Sequence, residues 1–456
     1  MKFAAYIKGM APQYGRNMRL ALPVMLSQVG QIVVQLVDNA MVGRLGAVPL
    51  AAVSFAGAVF SLFMLWGMGL SIGLTPLVGE AYSRRGHRRA SAFFQNSLIL
   101  FTAVGVGLFI ILQLIGGFLD RMGQPVEVVA EAGGYYNYLA WSVIPFMIFA
   151  AFKQFLEGIG NTRTGMVVVL TANAVNVLLN YAFIYGHWGA PAMGAAGAGL
   201  ATLVSRIIMP LLMVVYFARN WTARRYLKLF SRSNQAWEWV KTLLRVGFPI
   251  SMQMLVEMSA FSFTLIMMGW IGTHELAAHQ IVVSCGTLTF VTFLGISAAT
   301  TIMVSHDYGV KNYTGIARAA TASYHLGFLL ALVFAGCFIV FRRWIPLVFT
   351  DDPLVVEWAS QLLIMAALYQ IADSMQVISL GILRGMQDVK ITMWIAFLAY
   401  IGINLPVSYL CAFTLKMGPS GLWMGFILGL SFATVLFYLR YRRNFRKLAG
   451  EMPVNK

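Results

Sequence analysis

Three carboxylates stand in stretches of sequence that are otherwise apolar enough to sit in lipid. They are Asp38, within "QIVVQLVDNAMVGRLG" (31–46), Glu257 and Asp373. An aspartate at the centre of a membrane helix costs roughly 2.5–3.5 kcal/mol, so such residues usually face a wet cavity or a partner. Helical spacing supports a cavity. Gln28, Gln31, Gln35 and Asp38 recur at i, i+3, i+7 and i+10 and form one polar stripe. Tyr369, Asp373 and Gln376 share a face of another helix, and Asn173, Asn176 and Asn180 share a face of a third. Those asparagines also have a plainer use, because amides join membrane helices by hydrogen bonding. Two basic residues, Lys153 and Arg206, fall inside apolar stretches as well. Both are expected at other depths, which leaves the carboxylates available to a cation. A desolvated carboxylate binds a proton readily. With carbonyl, amide and hydroxyl oxygens nearby it suits Na⁺ equally, and an organic cation could compete for the same charge.

The elements that position these residues must be membrane helices. Of 456 residues, 59% are hydrophobic and 11% charged, with mean hydropathy +0.75. A soluble chain carries about a quarter charged residues. Twelve stretches are long and apolar enough to span: 17–42, 54–80, 93–118, 135–157, 164–185, 196–218, 246–270, 278–304, 319–341, 359–383, 391–414 and 421–440. They are continuously apolar rather than alternating, which favours helices over a barrel.

The net charge of +17 does not indicate nucleic acid, because the basic residues lie in short loops and form no domain or aromatic platform. They report topology instead. On the side that holds "SRRGHRR" (83–89), the 218–245 loop and "RYRRNFRK" (440–447) there are 26 Lys/Arg, against 5 on the other. That asymmetry places both termini in the cytoplasm. The amphipathic N-terminus has no cleavable signal core, and the first span is expected to direct insertion. The cysteines, Cys285, Cys337 and Cys411, sit in apolar segments without paired spacing and read as small hydrophobes.

The chain also repeats itself. Shifted by 226 residues, "MVGRLGAVPLAAVS" (41–54) falls on "MMGWIGTHELAAHQ" (267–280), and Pro23 falls on Pro249. "LEGIGNTR" (156–163) resembles "LRGMQDVK" (383–390) at a slightly different shift. The fold expected is therefore an all-α membrane protein with twelve transmembrane helices in two pseudo-symmetric six-helix bundles. The expected divisions are an N-lobe (1–217), a basic linker (218–245), a C-lobe (246–440) and a basic tail (441–456). An even number of helices makes the repeat parallel, a geometry that suits alternating access. On the repeat Glu257 takes the address of Gln31, so the first helices of both lobes are expected to line one seam.

Some motifs mislead. "GLSIG" (69–73) matches a nucleophile elbow but lies within a helix, where small residues pack. "HELAAH" (274–279) has its histidines five apart rather than four and is no zinc-protease motif. No phosphate-binding loop is present, which argues against ATP-driven transport by this chain alone.

Taken together, "LALPVMLSQVGQIVVQLVDNAMVGRLG" (20–46), "GFPISMQMLVEMSAFSFTLIMMGWIG" (247–272), "ALYQIADSMQVISLGILRGMQD" (367–388) and "NVLLNYAFIYG" (176–186) resemble the multidrug and toxic compound extrusion (MATE) family, in particular its NorM-like branch. The resemblance covers nearly the whole chain. It implies a V-shaped twelve-helix transporter, not an enzyme, that exports cationic amphipathic compounds in exchange for Na⁺ or H⁺ and needs no cofactor. It implies a cation site, for Na⁺ as the metal, at Glu257 and Asp373 with Tyr369. Substrate or proton contacts would fall to Asp38, Asn176, Asn180, Gln35, Phe261 and Gln280. The expected partners are small organic cations and the lipid bilayer of the cell inner membrane, with no nucleic acid and with the chain as a monomer. Rival readings are a lipid-linked precursor flippase, whose anionic cargo would favour a basic seam, an intramembrane hydrolase using Ser71, and a passive channel.

Overall fold

The structure is a computed structural model that describes residues 2–450; Met1 and residues 451–456, the end of the expected tail, lie outside the described residues. Among the described residues all regular structure is helical. Twelve helices are long and apolar enough to cross a membrane: α1 (Gly9–Gly43), α2 (Ala47–Ser83), α3 (His87–Gly116), α4 (Val126–Gly158), α5 (Thr162–Tyr185), α6 (Ala195–Arg219), α7 (Trp237–Ile271), α8 (Thr273–Gly309), α9 (Tyr313–Phe341), α10 (Pro353–Gly385), α11 (Val389–Thr414) and α12 (Pro419–Leu448). Eleven expected stretches lie wholly inside these helices. The third overruns α3 by two residues, because Gly117 and Phe118 turn out of it. Most helices outrun their apolar run. At 1.5 Å per residue the 35-residue α1 and α7 are roughly 52 Å long, well beyond a hydrocarbon core of about 30 Å.

Two compact units make up the chain. One contains residues 26–251 and the other residues 1–25 with 252–456. The divisions differ from the expected 1–217 and 246–440 lobes at the two helices that begin each half of the repeat. The first part of α1 packs in the unit of the second half, and the first part of α7 packs in the unit of the first half. Each changeover follows a proline by two residues, Pro23 in α1 and Pro249 in α7. Proline donates no backbone hydrogen bond and crowds the preceding turn.

Small residues make this arrangement possible. In the 26–251 unit, a Cβ on Gly69 would lie 2.6 Å from Ser251 Cα, and one on Gly73 would lie 2.7 Å from Gly247 Cα. The "GLSIG" stretch is therefore a seat for α7. In the other unit the repeat image of Gly69 is Gly295, which closes on Met25 and the carbonyl of Ala21, the images of Ser251 and Gly247. A second pair follows the same rule. Gly158 rests on Val78 in the first unit, and Gly385 rests on Val304 in the second.

The hub of the 26–251 unit is α4, which packs against α2, α3 and α6. It is the most buried span, with 72% of its apolar window inside against 22–44% for the others. Its repeat image α10 packs against α8, α9 and α12. In that unit α11 widens into π-helical turns at Leu398–Asn404 and Leu410–Thr414. Gly421, Gly425 and Gly429 of α12 let its backbone approach closely there.

The basic 218–245 linker is folded onto α3. Within it a short helix, Trp221–Lys228, ends beside a 3₁₀ turn at Arg232–Asn234. Ser91 Oγ donates to the Tyr226 carbonyl (2.7 Å), Asn96 Nδ2 donates to the Asn234 carbonyl (2.7 Å), and Gln95 bonds Ser231 through both its amide atoms (3.1 Å each). The Tyr226 ring is buried, which pushes its phenol up to about 12.

Gly69→Ala is expected to destabilise the purified protein by about 1–3 kcal/mol through overpacking. Gly107→Ala, with nothing within 4 Å of the added methyl, should not lower stability. Thermal unfolding in detergent distinguishes the two, and equal melting temperatures would contradict the close α2–α7 contact.

Candidate functional site

In the 26–251 unit, α1 carries its polar stripe into a cavity of about 380 Å³. Gln31, Val34, Gln35 and Asp38 line one wall, and Asn173 and Asn176 of α5 line another. Met64, Met68 and Met209 add soft apolar surface. Gln28 does not reach this cavity. Asp38 is half-buried, and its Oδ1 accepts a short hydrogen bond from Asn180 Nδ2. The same amide nitrogen lies 3.1 Å from Asn176 Oδ1. Asn176 Nδ2 in turn reaches Thr202 Oγ1 and Ser205 Oγ of α6 at 3.5 Å each. An amide chain thus joins α1, α5 and α6 and ends on the carboxylate. The two readings of the asparagines are compatible in this geometry, since they join helices and hold Asp38 at once.

Arg206 of α6 lines this same cavity, although it was expected at another depth. The sequence gives its place only through a helical phase that puts it one turn beyond Thr202. Its Nη1 donates to Ser142 Oγ (2.8 Å), and its guanidinium carbon lies 5.0 Å from the Phe60 ring centre and 5.3 Å from that of Phe146. The other basic residue inside a span, Lys153, pairs with Glu157 at 3.6 Å.

In the second unit, Glu257 of α7 and Asp373 of α10 are neighbours, with the Tyr369 hydroxyl beside them. Asp373 is 1% exposed, and among the described residues neither of its carboxylate oxygens makes a hydrogen bond of ordinary geometry. Both polar atoms of the Gln370 side chain are likewise buried without a partner. Glu257 is better provided for. Tyr400 of α11 donates its hydroxyl to Glu257 Oε1 (3.0 Å) and accepts from Gln376 Nε2 (3.2 Å). Tyr400 went unnoticed in the sequence because a tyrosine in an apolar run has no polar stripe to announce it.

Arg384 lies one residue past the expected 359–383 span, yet it is buried at the end of α10. Its Nη2 donates to Gln253 Oε1 (3.2 Å), one helical turn before Glu257.

Aromatic rings surround this second cluster. Phe261 stacks on Phe426 with centroids 4.6 Å apart, and Tyr369 meets Trp423 edge-on at 5.6 Å. Trp423 also meets the buried His279 at 5.8 Å. His274, the other histidine of "HELAAH", lies instead 3.6 Å from Asp352. Gln280 is exposed on α8, and among the described residues no hydrogen bond joins its side chain to the carboxylates. Likewise, no group of three or more His, Cys, Asp or Glu side chains able to hold a metal is found among the described residues. Any ion here would need hydroxyl, amide or carbonyl oxygens beside the two carboxylates.

The profile of the MatE family matches residues 23–182 and 249–410. A curated relative, the probable multidrug resistance protein NorM of Idiomarina loihiensis, is 34% identical over 448 residues and covers 95% of each chain. Among solved structures, a MATE transporter in a straight conformation superposes with TM-score 0.88 at 23% identity, over 96% of this chain and 97% of that one. The Vibrio cholerae MATE transporter VcmN in its bent form gives TM-score 0.87 at 18% identity, over 97% and 99%. At these identities the structural likeness concerns the fold.

Tyr400→Phe should lower thermal stability by about 1–3 kcal/mol, because it strips a hydrogen bond from a carboxylate and another from a buried amide. Asp373→Asn should melt no lower than wild type, since it removes a buried carboxylate for which the described residues provide no hydrogen bond of ordinary geometry. A large loss of stability in Asp373→Asn would mean that its carboxylate is held by interactions absent from this geometry.

Proposed function

Because the chain belongs to the MatE family of membrane transporters, we propose that it is a multidrug efflux antiporter that exports cationic amphipathic compounds in exchange for Na⁺ or H⁺ by alternating access. It acts as a transporter and catalyses no covalent step. The observation that carries the exchange reading is Asp373, a fully buried carboxylate that makes no hydrogen bond of ordinary geometry among the described residues and stands next to a second carboxylate. A site of that kind is unfavourable when its charge is bare and gains strongly from a bound cation.

In this reading Glu257 and Asp373 hold the coupling ion, with the Tyr369 hydroxyl beside them. Tyr400 keeps Glu257 oriented through the ion's arrival and departure. Asp38 takes the organic cation or a proton, positioned by Asn180 and Asn176, while Gln35 and the methionines provide a wall tolerant of shape. Phe261 and Gln280 remain candidates for substrate contact from the second unit. The relative named NorM supports the drug-export reading. The Lys/Arg asymmetry supports placing both termini on the cytoplasmic side of the inner membrane, where the protein would work as a monomer.

The test is ethidium efflux from proteoliposomes under separately imposed Na⁺ and pH gradients. Wild type should export under at least one gradient, and Asp373→Asn should lose most of that gradient-driven flux while binding ethidium still. Efflux under neither gradient would overturn the proposal. Efflux that Asp373→Asn leaves intact would remove Asp373 from the coupling site.

A further inference from the structure

Arg206 has an unusual setting for a charged residue within a membrane span. It lines the cavity of the 26–251 unit together with Asp38, yet no carboxylate lies within ion-pair distance of it among the described residues. A guanidinium carries five N–H donors. One of them, on Nη1, is used by Ser142 Oγ. Its guanidinium also lies over the rings of Phe60 and Phe146, contacts that consume no donor, and it is attracted by the charge of Asp38 without touching it. Asp38, by contrast, already accepts from Asn180.

The cavity is thus lined by a carboxylate and, separately, by a planar guanidinium for which the described residues show one hydrogen bond. Around them lie two phenyl rings, three methionines and the Tyr135 side chain. A fork of this shape matches a carboxylate with two parallel hydrogen bonds. Lysine would supply the charge without that geometry.

We propose that Arg206 forms a carboxylate-recognising subsite in this cavity, which takes the anionic end of a substrate whose cationic end lies toward Asp38. The inference rests on the reading of this cavity as a substrate site. Ser142 is a positioning residue, since it fixes one edge of the guanidinium. Phe60 and Phe146 hold the cation in place when no anion is bound, and they form the apolar wall for the substrate's flat body. Such a site predicts that a bound zwitterion brings an anion to Arg206 as it brings a cation to Asp38, and leaves neither charge bare.

The test uses a matched pair of dyes that differ at one group. Rhodamine B carries a free carboxylate on a cationic ring system, and its ethyl ester carries the same rings without the anion. Dissociation constants of both dyes would be measured by fluorescence anisotropy on the purified full chain. Wild type should bind both. Arg206→Gln should weaken rhodamine B by about ten- to hundredfold more than it weakens the ester, the size expected for losing hydrogen bonds to a charged group. Arg206→Lys should fall between. If Arg206→Gln does not yield folded protein, Ser142→Ala reads the same ratio, with a smaller shift confined to rhodamine B. Equal weakening of both dyes, or no change in their ratio in a folded variant, would overturn the inference. Failure of wild type to bind either dye would instead overturn the reading of the cavity as a substrate site.

Discussion

A charge inside the hydrocarbon layer must be given a partner, a ring face or a ligand, and the two units answer that requirement differently. In the 26–251 unit the charges of Asp38, Arg206 and Lys153 each find some satisfaction among the described residues. Asp38 takes an amide, Arg206 takes a hydroxyl and two rings, and Lys153 takes Glu157. In the other unit the demand is unevenly met. Tyr400 serves Glu257 and Gln253 serves Arg384, while among the described residues Asp373 has neighbours but no hydrogen bond of ordinary geometry. The difference is energetic: a group already satisfied can exchange partners at small cost, whereas a buried carboxylate without a hydrogen bond gains the most from a new partner.

The backbone contacts of the repeat have remained alike while its polar residues have diverged. Gly69 on Ser251 and Gly295 on Met25 are one contact made twice, as are Gly158 on Val78 and Gly385 on Val304. These positions tolerate little change because any added Cβ meets another atom at less than contact distance. Side chains facing a cavity have no such limit. Gln31 could therefore have a carboxylate as its image at Glu257, and Asp38 could have Thr264, without disturbing either hub helix. Close packing fixes the frame, and the wetter faces are free to differ.

That division explains how much could be read from the chain. Span number and position follow from hydropathy, because apolar length is a property of consecutive residues. Helical phase likewise brings Asp38, Asn176 and Asn180 into one account, since each stripe is internal to its own helix and the stripes then meet. What hydropathy does not carry is pairing between helices that are distant in sequence. Tyr400 meets Glu257 across 143 residues, and Arg206 meets Ser142 across 64. Nothing local marks Tyr400 as polar-facing, and Arg206 is marked only by its helical phase one turn beyond Thr202. Arg384 was missed for a related reason. It stands at the end of an apolar run, where charge usually marks a loop, and only packing against α7 reveals that the run continues past it.

The changeover inside α1 bears on how the protein comes into being. Residues 1–25 belong to the unit that otherwise begins at residue 252. The groups they rest on, such as Gly295 of α8, leave the ribosome more than two hundred residues later. The earliest segment synthesised must therefore wait in the bilayer, half a helix without its neighbours, until the second half of the chain has been inserted. Neither half of the gene encodes a self-sufficient module.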